Sequence, residues 1–310
     1  MKNPTTITVR RMQFNLDESM PKYWNDNDPF KTHLFNAISM LLPPGERFFI
    51  RCLRENLPYL KQDDNTAVIP ALSRNPHQTT GEHQETPNPA RGDKAALIDD
   101  VRKFMGQEGC HDHQHVLYNN ILRAQGFNVS RLENIISNHL ALASKISSRK
   151  SRMALTVAFE HFTTILAHAL LSEESWLHNA HPAYATLWRW HAIEEIEHKA
   201  VTFDVYQAIK GGYFTRIREV FFGTIILCYH ITAYTCYFLF KDKLFFKPKV
   251  WWRGLKFLWG KSGVFWKILP MYFSFYRPSY HPWQHDNSAL TKQWEKDLFM
   301  SQVKSDNPPT

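Results

Sequence analysis

The sequence predicts an all-α fold: a four-helix bundle with extra helices, continued by a C-terminal extension that is first apolar and then amphipathic. Two observations carry that prediction. Apolar residues recur at steps of three and four along several long stretches, the spacing of one helix face. Two of these stretches also hold the step Glu-x-x-His, at Glu108 with His111 and at Glu195 with His198, and His191 lies one turn before Glu195. On a helix each group shares a face. Two such helices, with a single Glu from each of two others, are what a carboxylate-bridged pair of metal ions inside a bundle requires. Glu46 and Glu160 are suitable single glutamates.

The chain has 310 residues and 44% hydrophobic content, enough for a real core. Its four cysteines show no Cys-x-x-Cys spacing, which argues against a disulfide framework or a structural zinc site and fits a reducing compartment. The N-terminal residues lack the apolar core of a secretory signal, so the cytoplasm is the expected location. The formal charge of +8 is concentrated: residues 241–277 hold nine Lys or Arg against Asp242 alone. A surplus confined to one tryptophan-rich segment points to an anionic surface touched there.

Residues 1–30 are broken by Pro4, Pro21 and Pro29 and read as an arm, with one short strand over 7–14 and no chemistry. Residues 31–212 read as the bundle. An apolar run from Lys31 is expected to stop at Pro43-Pro44-Gly45, after which Glu46, Phe49, Ile50 and Leu53 form the stripe of a renewed helix. Taken alone, Glu46 is explained by the preference of acids for a helix's first turn. Residues 61–93 read as a polar loop insert in which His77 and His83 face solvent.

A helix resumes near Lys94 and stops at Gly126. Its inward seam is Val101, Phe104, Glu108, His111, His115, Tyr118 and Leu122, so polar groups interrupt an apolar stripe and need pairing or a metal. His113 points away. His115 is either a direct ligand or a group behind the ligands. A connecting helix over 130–146 is expected to be capped by Ser130 with Glu133, and its His139 has no partner at ligand spacing. The next helix, about 148–178, carries Glu160 in an apolar seam, with His161 and His168 off that line. After a turn at 179–182 the last bundle helix starts near Tyr184 and runs through WHAIEEIEHKAVTFDVY. Glu160 and Glu195 stand at similar distances from that turn, so antiparallel helices bring them level.

Residues 213–277 read as the extension. From Val220 to Phe240 there are 21 residues without Lys, Arg, Asp or Glu, long enough for a bilayer, yet interrupted by Thr224, His230, Thr232, Tyr234 and Thr235. A membrane-embedded helix and a buried or interfacial one both stay open. Beyond it, Trp252, Leu255, Trp259 and Trp266 share one arc of a helical wheel, with Lys249, Arg253, Lys256 and Lys267 beside it, as in a helix lying among lipid headgroups. Basic residues among aromatics could also stack single-stranded nucleic acid. The adjoining uncharged segment makes lipid the better partner, and nucleic acid is not expected. Residues 278–310 read as a loose polar tail.

Carboxylates with imidazoles suit Fe, Mn or Zn, and a buried apolar site shields oxygen chemistry from water, whereas a hydrolase wants ready access for water. The blocks VRRMQF, LLPPGERFF, FMGQEGCHDHQH, AFEHFT and WHAIEEIEHKAVTFDVY resemble the ferritin-like proteins known as predicted metal-dependent hydrolases. The pattern His191, Glu195, His198 is also similar to that of the dimetal N-oxygenases acting on arylamines. That resemblance implies Glu46, Glu108, His111, Glu160, His191, Glu195 and His198 as metal ligands; Glu194 resembles the acid that orients a histidine in other ferritin-like oxidases, and His115 and His161 stand as further supporting candidates by their positions alone. The polar insert and the basic aromatic extension depart from those N-oxygenases.

The expected function is therefore dioxygen activation by two metal ions, iron first and Mn or Zn next, to oxidise an apolar or lipid-derived substrate. The alternatives are a metal-dependent hydrolase of an ester or amide, and a non-catalytic iron-binding or membrane-associated structural protein. Expected partners are an apolar small molecule and an anionic membrane surface met through 220–277, with a homodimer left open. The expected location is cytoplasmic and membrane-associated, integral if 220–240 spans.

Overall fold

The computed structural model describes residues 7–61 and 94–306. Its helices are α1 (Pro29–Lys61), α2 (Lys94–Ala124), α3 (Val129–Ile146), α4 (Arg149–Ser172), α5 (Pro182–His198), α6 (Val201–Ala208), α7 (Tyr213–Lys241), α8 (Pro248–Trp259), α9 (Val264–Ser274) and α10 (Ser288–Asp306). Among the described residues there is no strand, only a bridge between Asn25 and Ala180. The fold is all-α. The polar insert expected at 61–93, with His77 and His83, lies beyond Lys61 and outside the described residues.

Four helices make the bundle. α1 lies along α2, α4 lies along α5, and α1 and α4 also touch. Outside the α1/α4 pair, α7 packs on both helices, α8 on α1 and α9 on α4. The centre is filled by Phe104, Tyr118, Leu122, Met153, Trp190 and Phe203, all essentially inaccessible. α1, α3 and α4 start where a side chain satisfies free amides. The Asp28 carboxylate accepts from the Phe30 and Lys31 amides at 2.9 and 3.1 Å, and Ser148 Oγ accepts from Ser151 N at 3.1 Å. α2 ends where Gly126 takes φ +92°, a left-handed conformation that glycine adopts without strain.

Several expectations need correction. Pro43-Pro44-Gly45 does not interrupt α1, which runs unbroken through them. A proline at 43 cannot donate to the Ser39 carbonyl four residues back, and the Asn119 side-chain amide of α2 donates to that carbonyl instead, at 3.3 Å. Glu46 is thus mid-helix, and the first-turn account of it falls. Residues 7–14 form no strand. Their polar groups meet side chains in place of a ladder: Thr8 N donates to Glu197, Arg10 N to Glu194, and Gln107 and Gln114 donate to the Thr8 and Met12 carbonyls.

The cap of α3 is Asn128, whose Oδ1 accepts from Arg131 N, two residues before the expected Ser130. His139 does have a partner, with Nδ1 3.0 Å from His230 Nε2 on α7. α4 stops at Ser172, earlier than its apolar pattern suggests. The helix carrying Glu195 does not continue to Tyr206. It breaks after His198, where the Lys199 ammonium turns inward to the His285 carbonyl and to Asn287 Oδ1, at 2.5 and 2.7 Å.

The basic aromatic stretch is two helices joined by a short turn, in which Gly260 packs so close that an added Cβ would stand 2.3 Å from the Lys256 carbonyl oxygen of α8. The expected loose tail contains α10, which buries Thr291, Trp294 and Leu298 at helical spacing and donates Trp294 Nε1 to the Leu171 carbonyl at 2.8 Å. α4 and α7 are both long and apolar enough to cross a membrane. Length and composition alone carry little weight, and α4 is largely core.

Candidate metal centre

Glu46 of α1, Glu108 and His111 of α2, Glu160 of α4, and His191, Glu195 and His198 of α5 are all buried at the middle of the bundle. Donor atoms of Glu108, His111, Glu195 and His198 lie within 4.8 Å of one another, and so do those of Glu46, His111 and His191. His111 belongs to both groups. Glu160 joins through its Oε2, 3.2 Å from His198 Nδ1. The antiparallel passage of α4 and α5 does bring Glu160 and the Glu195 turn to one level.

Most of these donors meet no hydrogen-bond partner. Both carboxylate oxygens of Glu46, Glu108 and Glu160 are orphaned, as are Glu195 Oε2, His111 Nδ1 and both ring nitrogens of His198. Burial, then neighbouring carboxylates, push the Glu46, Glu108 and Glu160 carboxyls well above the usual range. Burial also raises Glu195, but His198 and His191 outweigh it and hold that carboxyl down to about 2. Burial, then His191, lowers His111 well below an ordinary imidazole. So many buried, mutually repelling acceptors are costly without a cation among them.

The surrounding hydrogen bonds fix which nitrogens face that cation. Ser39 Oγ donates to Asn119 Oδ1 at 3.0 Å, so the same oxygen accepts from His115 Nδ1 at 2.9 Å. His115 Nε2 is then an acceptor, and takes the proton of His191 Nδ1 at 3.1 Å. His191 Nε2 is left with a lone pair, 3.0 Å from Glu195 Oε1. Two acceptors that close need a positive ion or a proton between them. Similarly, His111 Nε2 donates to Glu194 Oε2 at 3.0 Å and frees Nδ1 toward Glu108 and Glu195, 3.9 and 3.8 Å away. These are the outer contacts that set a ligand imidazole's tautomer.

Glu194 is held in turn by Arg10, with a 3.3 Å ion pair. Burial raises the Glu194 carboxyl to about 7, with Arg10 opposing the shift. Arg10 also pairs with Glu197 at 2.6 Å and with Glu295 of α10 at 2.5 Å. Arg10, Ser39 and Asn119 are residues the sequence reading missed. The first sits 184 positions from its partner, and only the VRRMQF block drew attention to it. His161 is buried but turned to Tyr280, whose hydroxyl lies 3.1 Å from its Nδ1, and to the Phe275 ring. His113 is exposed, as expected.

A family model described as predicted metal-dependent hydrolase matches residues 8–91 and 89–286. The chain belongs to this family. No curated protein and no solved structure matches the chain. In this predicted metal-dependent hydrolase the metal-capable cluster forms one end of an apolar pocket, which reaches His191 and Glu195 from between α1 and α4 and is bordered by Phe257 of α8 and Val264 of α9. A second pocket shares Ile38, Leu42, Thr163 and Leu166 with it and continues the α1/α4 cleft beneath Leu227 and Ile231 of α7.

Proposed function

We propose that this protein is a dimetal hydrolase cleaving an ester or amide of an apolar substrate. The carrying observation is the meeting of seven buried donors, most of them orphaned, whose tautomers are set so that lone pairs converge. Glu46, Glu108, His111, Glu160, His191, Glu195 and His198 would hold two ions, and a donor set rich in carboxylate and imidazole suits zinc, manganese or iron. Bound ions would polarise the substrate carbonyl and activate water.

The chain's own groups do the rest. Arg10 opposes the burial that raises the Glu194 carboxyl and holds Glu194 in place, so that its Oε2 can accept the His111 Nε2 proton. Ser39 and His115 keep the His191 proton on Nδ1. Leu34, Ile38, Leu166 and Leu170 give an acyl chain an apolar bed leading to the donors and exclude bulk water from it.

A second reading, dioxygen-dependent oxidation of the same class of substrate, is favoured by the apolar surroundings of a site with four carboxylates. One set of measurements separates the two. Metal content is determined on the purified protein and on Glu108→Ala and Glu195→Ala, with turnover of medium- and long-chain esters and amides followed with and without oxygen. Two ions per chain, lost in both variants, with oxygen-indifferent hydrolysis, supports the hydrolase. Consumption of oxygen after anaerobic reduction supports oxidation. A protein without bound metal after loading refutes both.

A further inference from the structure

α7, α8 and α9 carry large exposed apolar side chains, and α9 packs on α8 and meets α7 where the Thr224 and Tyr272 hydroxyls lie 3.0 Å apart. α7 turns one stripe, including Phe221, Phe222, Ile225 and Tyr229, away from α1 and α4. α8 and α9 add Trp252, 70% exposed, with Trp259, Trp266 and Phe273. Exposure of so many large side chains on three adjoining helices marks a contact surface. Beside the apolar arc of α8 stand Lys249, Arg253 and Lys256, with Lys261 in the following turn, all exposed. Among the described residues none of these four cations has an ion pair. Asp242, the lone acid of the segment, is already taken by Lys22 and His33.

We propose that this face docks into the headgroup layer of an anionic bilayer, and that docking presses the α8/α9 mouth of the α1/α4 cleft against the lipid so that apolar substrate reaches the metal centre without crossing water. Three features select lipid as the occupant. Exposed tryptophans beside a row of cations are the pattern of a helix lying at the water–lipid boundary. A second copy seated on the same face would set the same cations against each other across a two-fold axis. α7 cannot be surrounded by lipid as a spanning helix, because its other side packs on α1 and α4 and buries Arg216, Glu219 and His230.

The cleft supplies the link to function. Phe257 and Val264, from the two helices that bear the tryptophans, line the same pocket as His191 and Glu195. Leu227 and Ile231 of α7 line the pocket that joins it. The segment that would touch the membrane therefore walls the route to the donors. Delivery through the cleft rests on the reading of the site as an enzyme of apolar substrates; the docking does not.

The test uses the full chain, purified without detergent, in flotation with phosphatidylcholine vesicles that either lack or contain phosphatidylserine. Binding is expected to the anionic vesicles, with tryptophan fluorescence quenched by brominated acyl chains. Each cation near such a surface is worth about fivefold in partition, so Arg253→Glu with Lys256→Glu should weaken binding by at least about 25-fold. Trp252→Ala with Trp259→Ala should weaken it on neutral and anionic vesicles alike. Unchanged circular dichroism and metal content certify that both variants are folded.

Equal soluble recovery with and without vesicles overturns the proposal. So does wild-type binding by the charge-reversed variant, a stable dimer that protects the tryptophans from quencher, or a protein extractable only with detergent. Metal-free protein should float as the loaded protein does. Vesicle binding by a chain that cleaves no ester or amide removes the hydrolase reading and leaves the docking face standing.

Discussion

The chain Ser39, His115, His191 makes a graded prediction. In His115→Leu the proton on His191 Nδ1 loses the acceptor now 3.1 Å away. A buried donor left without a partner costs about 1–3 kcal/mol. The imidazole can escape that cost by carrying its proton on Nε2, but this is the nitrogen 3.0 Å from Glu195 that a metal would use. Either way metal binding is penalised. Loss of such an orienting contact typically weakens affinity about 10- to 100-fold, equivalent to about 1.4–2.7 kcal/mol. Ser39→Ala acts one link further out. It removes the acceptor of His115 Nδ1, a neutral hydrogen bond worth about 0.5–1.5 kcal/mol, and should weaken metal binding about two- to tenfold. Competition titration against a chromophoric chelator, with metal-to-protein ratios from atomic emission, reads both. Wild-type affinity for two ions in His115→Leu, or a larger loss in Ser39→Ala than in His115→Leu, would refute the tautomer argument.

Further outcomes follow from packing and burial. Trp294→Ala should cost about 3–5 kcal/mol and release α10 from α4 and α5, seen as a lower Tm and early proteolysis near residues 286–290; an unchanged digestion pattern contradicts the docking of α10. At Gly254 an added Cβ would stand 2.4 Å from the Phe30 ring, so Gly254→Ala should destabilise by about 1–3 kcal/mol by forcing α8 off α1, and an unaltered Tm would show the contact is loose. Burial, then His139, lowers His230 from 6.5 to about 4. The unfolded chain then takes up a proton there that the fold refuses, so stability is full above the ordinary imidazole value and falls as the pH drops toward the lowered one. His230→Gln should flatten that acid loss in urea unfolding followed at neutral pH and near the lowered value; a slope as steep as in the wild type counts against it.

Much of the centre was legible because its logic is local. Glu108 with His111, and Glu195 with His198, share helix faces by spacing alone, and the similar arms on either side of the 179–182 turn level Glu160 with Glu195. What escaped is what tertiary contact decides. Two consecutive prolines read as a stop, and α1 passes through them because a side chain from another helix takes over the carbonyl that the first cannot bond. The break after His198 has no glycine or proline to announce it; it follows from Lys199 turning to residues 86 and 88 positions away. α10 was hidden by a polar composition whose few apolar residues lie on one narrow stripe. The arm at 7–14 reads as a strand, but its amides meet the Glu194 and Glu197 carboxylates and its carbonyls the Gln107 and Gln114 amides, partners far away in sequence.

Arg10 lies over α5 together with Glu295, a residue 285 positions later in the sequence. A growing chain holds every donor residue before Glu295 is added, so Glu194 and Glu197 wait through about a hundred further residues for part of their final clasp. The restraint on the His111 imidazole therefore spans nearly the whole sequence, from Glu295 through Arg10 and Glu194 to His111.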